Sequence, residues 1–113
     1  MDDILKMATE LGELIAKHPR YITLRQAEDA AAGDSATADM LKRYEEKRRE
    51  IAEAEAANDP IEPEQKRALQ EMTERVHANE RLQALAKAQA DYMELMNRVN
   101  AAIRRALDSE SKD

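Results

Sequence analysis

The chain has 113 residues, 42% of them hydrophobic and 37% charged, which fits one modest domain and leaves no room for a second core. It contains no cysteine, so disulfides, thiolate zinc sites and thiol-ligated iron–sulfur clusters are excluded for the chain acting alone. Its formal net charge of −6 repels nucleic acid on average, and two glycines and three prolines are too few for a hairpin-rich architecture.

Ala, Glu, Arg, Leu and Met dominate, the vocabulary of long helices, while aromatics reach only 3%. From Asp3 onward, Ile4, Ala8, Leu11 and Ile15 fall on one stripe with Leu5, Met7, Gly12 and Leu14 beside it, predicting an amphipathic helix. His18-Pro19 should stop that helix, because proline disfavours the helical conformation in the residue before it. Pro19 opens a second helix with Tyr21, Leu24, Ala27 and Ala31 on a weaker stripe, and Gly33 suits its end.

Asp34 or Ser35 caps a third helix running to about Ala57, with Leu41, Tyr44, Arg48 and Ile51 spaced by three and four. Around that narrow seam, Lys42/Glu46 and Glu45/Arg49 sit one turn apart and make a solvated, mixed-charge face. Asn58-Asp59-Pro60-Ile61-Glu62-Pro63 is the clearest loop. A fourth helix begins near Pro63, buries Leu69, Met72 and Val76, and weakens at His77-Ala78-Asn79, where Asn79 can cap a new start.

The last helix, roughly Glu80 to Leu107, places Leu82, Leu85, Gln89, Tyr92, Met96, Val99, Ile103 and Ala106 in an unbroken heptad seam. Val76 to Leu82 is six residues, not seven, so a register change or break is expected near Asn79. Residues 1–107 are read as a single helical domain and 108–113 as a polar, frayed tail. A helix of about 28 residues extends ~42 Å, past the ~34 Å diameter of a compact globule of this length. The fold expected is therefore all-α, an elongated antiparallel helical hairpin or bundle of about five helices, oligomeric, with a homodimer favoured. Leu82, Leu85, Tyr92, Met96, Val99 and Ile103 are the interface residues, with Tyr92 to Ile103 the portion that meets another copy.

Chemistry is sparse. Neither His18 nor His77 lies beside a serine, threonine or cysteine in the manner of an activated nucleophile, and no catalytic residue is assigned. Glu74-Arg75-Val76-His77 has the Glu-x-x-His spacing of di-iron bundles, but each chain of a dimer would still owe another inward-facing Glu, so no metal site is assigned. Gly12 and Gly33 are isolated, which excludes phosphate-binding glycine loops, and no cofactor is expected. Met40, Met72, Met93 and Met96 at helical spacing read as core or interface filling, with an adaptable binding surface as the sharper alternative. The N-terminal Met1-Asp2-Asp3-Ile4 lacks a basic stretch followed by an apolar one, and no apolar run approaches the ~20 residues of a membrane span. The protein is expected in the cytoplasm, with no membrane partner.

Leu11, Ile15, Tyr21, Leu24 and Ala27 around a helix break, then Leu41 and Tyr44, the Asp-Pro loop, and Asn79 before the Leu82–Ile103 helix resemble the YlbF/YmcA (Com_YlbF) family of small bacterial helical proteins. The resemblance covers roughly residues 5–105 and rests on apolar spacings and helix breaks. It implies an all-helical oligomer acting as a regulatory or accessory subunit, with relatives linked to competence, sporulation, biofilm control and messenger RNA processing through RNase Y. Some relatives are associated with cysteine-ligated iron–sulfur clusters, a property removed here by the absence of cysteine. The function expected is a non-enzymatic regulatory adaptor that binds itself and another protein, an RNA-processing complex among the candidates. The alternative is an RNA-binding accessory protein using Lys47, Arg48, Arg49, Arg104 and Arg105.

Overall fold

Five α-helices account for almost all of the computed structural model, which describes residues 2–111. They are α1 (Asp2–Lys17), α2 (Pro19–Gly33), α3 (Ser35–Ala56), α4 (Pro63–Ala78) and α5 (Glu80–Ser111). No strand occurs among the described residues, so the all-α class read from the sequence is the class adopted.

Local chemistry sets the boundaries between the helices. At the α1–α2 junction the His18 carbonyl accepts from the Tyr21 and Ile22 amides, and its ring Nδ1 accepts from the Arg20 amide at 3.0 Å. His18 thus satisfies amides that the first turn of α2 leaves without intrahelical partners, next to a proline that has none to offer. Asp34 is the cap of α3, its carboxylate accepting from the Thr37 amide at 3.1 Å. Gly33 ends α2 without the left-handed backbone that the sequence suggested for it. That conformation belongs to Asn58, at φ 58°, after α3. There the Asp59 amide donates to the Ala54 carbonyl at 2.8 Å and the Asn58 amide to Glu55 at 3.1 Å, which is a Schellman closure. Pro63 then starts α4, with the Glu62 amide donating to Gln65 Oε1 at 3.4 Å.

The break expected near Asn79 is present. Asn79 is extended, at φ −78° and ψ 121°, and its Oδ1 accepts from the Leu82 amide at 3.0 Å, opening α5. At the far end α5 continues to Ser111, past the Leu107 boundary expected from the seam, and Ser111 Oγ donates to the Asp108 carbonyl. Lys112 and Asp113, the end of the tail read from the sequence, lie outside the described residues.

Two compact units divide the chain, and the division falls within α2 and within α5. One unit runs from Glu28 to Leu85. In it α3 and α4 form a helical hairpin. Ile51 and Leu69 line one cleft while Met40 and Met72 line another, so positions descending α3 meet positions ascending α4 and the pair is antiparallel. Ala31, Thr37, Ile51 and Leu82 are its buried side chains. Leu69, Met72 and Val76, expected to be buried, are only half-buried, because they pack against one helix rather than a complete core.

The other unit contains α1, the start of α2 and α5 from Ala86 onward. Tyr21 and Tyr92 meet with ring centroids 5.7 Å apart and planes tilted by 57°. Arg20 Nη1 donates to the Asp91 carbonyl at 3.0 Å and approaches Glu94 Oε1 at 3.4 Å, and the same carboxylate takes Arg98 at 3.0 Å. Leu24 and Ala88 are the buried apolar side chains. Among the described residues no helix is long and apolar enough to cross a membrane.

Candidate interaction surface

None of the 16 residues of α1 is buried. Ile4, Met7 and Leu14 are exposed at 70%, 69% and 67%, and Leu11 is exposed as well. Ile4 and Leu11 are one heptad apart, as are Met7 and Leu14, so the four make a continuous seam on one face. Asp3, Glu10 and Lys17 share the heptad position along one side of that seam. The amphipathic pattern read from the sequence is present, but its apolar side faces solvent. Contiguous exposed apolar residues of this kind mark interaction sites.

The seam assigned to α5 changes character along its length. Leu82 is buried and Leu85 half-buried within the Glu28–Leu85 unit, so these two serve the packing of their own chain. Tyr92, Met96 and Val99 are half-buried in the other unit, while Ile103 is 51% exposed. A neighbouring face was missed by the sequence reading. Met93, Met96, Asn100, Ile103 and Leu107 are spaced three, four, three and four, a second heptad seam, with Met93 and Leu107 widely exposed. Its polar member is Asn100, as Gln89 is that of the first seam, so apolar spacing alone does not choose between the two faces.

A polar junction ties two helix starts together in the Glu28–Leu85 unit. Thr37 is 1% exposed, its hydroxyl donating to Asp34 Oδ2 at 2.5 Å and accepting from Asn79 Nδ2 at 3.3 Å. The cap of α3 and the cap of α5 are thereby joined through one threonine. Bonds from the Thr37 hydroxyl and amide, with the Arg81 guanidinium 3.6 Å away, hold the Asp34 carboxyl below the ordinary 3.8 against a smaller opposing effect of desolvation. Sequence reading found Asp34 and Asn79 but not Thr37, since a threonine inside a helix carries no signal of its own.

The remaining candidates are surface features. Glu74 and His77 are both exposed, and among the described residues no three His, Cys, Asp or Glu side chains gather to hold a metal ion. Lys47 pairs with Glu50 at 3.7 Å and Arg48 stacks over the Tyr44 ring at 5.4 Å, whereas Arg104 and Arg105 belong to the other unit. Met40 and Met72 floor a groove of about 270 Å³ beside Arg43 and Arg75.

Comparisons place these features among known proteins. Residues 4–108 match the family model described as control of competence regulator ComK, YlbF/YmcA. A UPF0342 protein of Lactobacillus helveticus is 26% identical over 102 residues, covering 90% of this chain and 88% of that one. Another, from Lactobacillus delbrueckii subsp. bulgaricus, is 26% identical over 100% of this chain and 97% of its own. Among solved structures, Bacillus subtilis RicA, crystallised in complex with RicF, shares the fold with a TM-score of 0.81 at 14% identity, covering 96% of each chain. A DUF964 protein of unknown function from Bacillus stearothermophilus gives a TM-score of 0.72 at 16% identity, covering 94% of this chain and 93% of that one. With a family model matched along nearly the whole helical chain and two all-helical neighbours of the same fold, the protein belongs to the YlbF/YmcA family of competence regulators.

Proposed function

We propose that this chain is a non-enzymatic cytoplasmic adaptor that acts by binding proteins, its own copies included, and that it serves an RNA-processing assembly. The observation that carries the reading is the run of apolar side chains on α5 from Tyr92 to Ile103, which loses burial toward its end and finishes exposed. Removing such side chains from water contributes about 1.5–3 kcal/mol each, so a homodimer through this portion is favoured. Leu82 and Leu85 support that surface from within the chain. RicA, which has the same fold, is a protein crystallised with a protein partner, and family membership supports the same manner of action here. The RNA-processing role rests on the family resemblance alone.

The test is sedimentation at micromolar concentration of the unmodified protein and of the Val99→Glu/Ile103→Glu double variant. A carboxylate in an apolar contact is costly to bury. The unmodified chain should sediment as a dimer, and the double variant as a helical monomer that captures less of the native partner from host extract. A monomeric unmodified protein, or a double variant with unchanged mass, would overturn the reading. Recovery of RNA alone, with affinity falling steeply as salt rises, would favour the accessory RNA-binding alternative.

A further inference from the structure

Two apolar seams in one unit lack an occupant. The α1 seam runs from Ile4 to Leu14, and no residue of that helix is buried. The α5 seam runs from Met93 to Leu107, with both ends exposed above 60%. Their charges differ in sign. Between Ile4 and Leu14, Glu10 and Glu13 stand against Lys6, giving −1. From Met93 to Leu107, three arginines stand against one glutamate, giving +2.

Those signs select the pairing. Two α1 seams side by side would bring net −1 against −1 and, if antiparallel, Glu10 against its own copy. Two α5 seams would bring like charge together in the same way. An α1 seam on an α5 seam brings opposite charge together, with Glu10 beside one seam and Arg104 beside the other. Both halves of the contact are carried by one chain, so a second copy supplies what each lacks, and two-fold symmetry makes the contact twice.

We propose that α1 of one chain lies along the Met93–Leu107 seam of α5 in a second copy, and reciprocally, so that four helices from two chains close one bundle. The proposal rests on the self-association reading above and names the helix that fills the α5 seam.

The natural chain has no cysteine, so single thiols can be placed freely. Ala8 flanks the midpoint of the α1 seam and Asn100 is the midpoint of the α5 seam, so the two meet whichever way the helices run. Ala8→Cys and Asn100→Cys proteins, each checked for helicity, would be mixed, allowed to exchange subunits and treated with a short bismaleimide. A cross-linked dimer should form in the mixture several-fold more than in either protein alone. A matching charge test uses Glu10→Arg, which should raise the dimer dissociation constant several-fold, and Glu10→Arg/Arg104→Glu, which should restore it.

Cross-linking of Ala8→Cys alone as strong as in the mixture would overturn the proposal in favour of α1 on α1. Absence of the mixed product from a protein that sediments as a dimer would also overturn it, leaving self-association intact through another face. A protein that sediments as a monomer would overturn both. Failure of the double charge variant to recover would remove the electrostatic basis of the pairing.

Discussion

Thr37 has no unmatched polar atom despite its depth, since its hydroxyl donates to Asp34 and accepts from Asn79. A buried hydroxyl of this kind is stabilising only while both partners remain, because an orphaned group keeps its full desolvation cost. Thr37→Val, close to isosteric, should therefore lower the unfolding free energy by about 1–3 kcal/mol in urea titrations. A loss below a few tenths of a kcal/mol would mean that the junction is incidental. The same junction predicts an acid response. Folded Asp34 holds its proton less tightly than an unfolded aspartate, so its stabilisation is complete above 3.8 and is lost as pH falls through the lower folded value. Asp34→Asn keeps a capping acceptor but cannot titrate. Its acid unfolding curve below pH 3.8 should be shallower than that of the unmodified protein, and identical curves would remove Asp34 from the account.

At the scale of helices, ends were more legible than faces. His18-Pro19, Asp34, Pro63 and Asn79 each announce a boundary through backbone chemistry that does not depend on what packs nearby, and each boundary is where the structure has it. Glycine misled at Gly33, because a helix can stop at a new N-cap without passing through left-handed backbone, while Asn58 took that conformation instead. Asn58→Gly should then be neutral or slightly stabilising, whereas Asn58→Ala should cost on the order of 1–2 kcal/mol, the penalty of a left-handed L-residue, both read by thermal or urea unfolding. Asn79→Ala should cost about 1–2 kcal/mol by losing the cap and the bond to Thr37, with Asn79→Asp between it and the natural residue. Equal stability of Asn79→Ala and the unmodified chain would contradict the cap. Faces were harder. A periodic stripe shows that a helix has an apolar side, not what covers it, and α1 satisfies the pattern while burying nothing. On α5 two seams share Met96 and Ile103, each with one polar member, Gln89 or Asn100, and apolar spacing alone does not rank them.

For the whole molecule, the decisive quantity is how little the chain buries by itself. Leu24, Ala31, Ile51, Leu82 and Ala88 are its buried apolar side chains among the described residues, and two of the five are alanines. Composition alone could not foretell this, since 42% hydrophobic residues is ordinary and the same residues could close a core within one chain or between two. The proposed association would then supply burial that folding needs, which couples stability to concentration. For a dimer that unfolds to separated chains, a tenfold rise in concentration adds about 1.4 kcal/mol per dimer, the worth of a factor of ten in mass action. At the size of two such chains together, that should raise the thermal midpoint by roughly 3–5 °C. Scanning calorimetry over a hundredfold range of concentration should show the rise, and Val99→Glu/Ile103→Glu should flatten it while lowering the midpoint throughout. A midpoint independent of concentration in the unmodified protein would mean that the chain folds as a monomer and that its exposed α1 and α5 seams await a different protein.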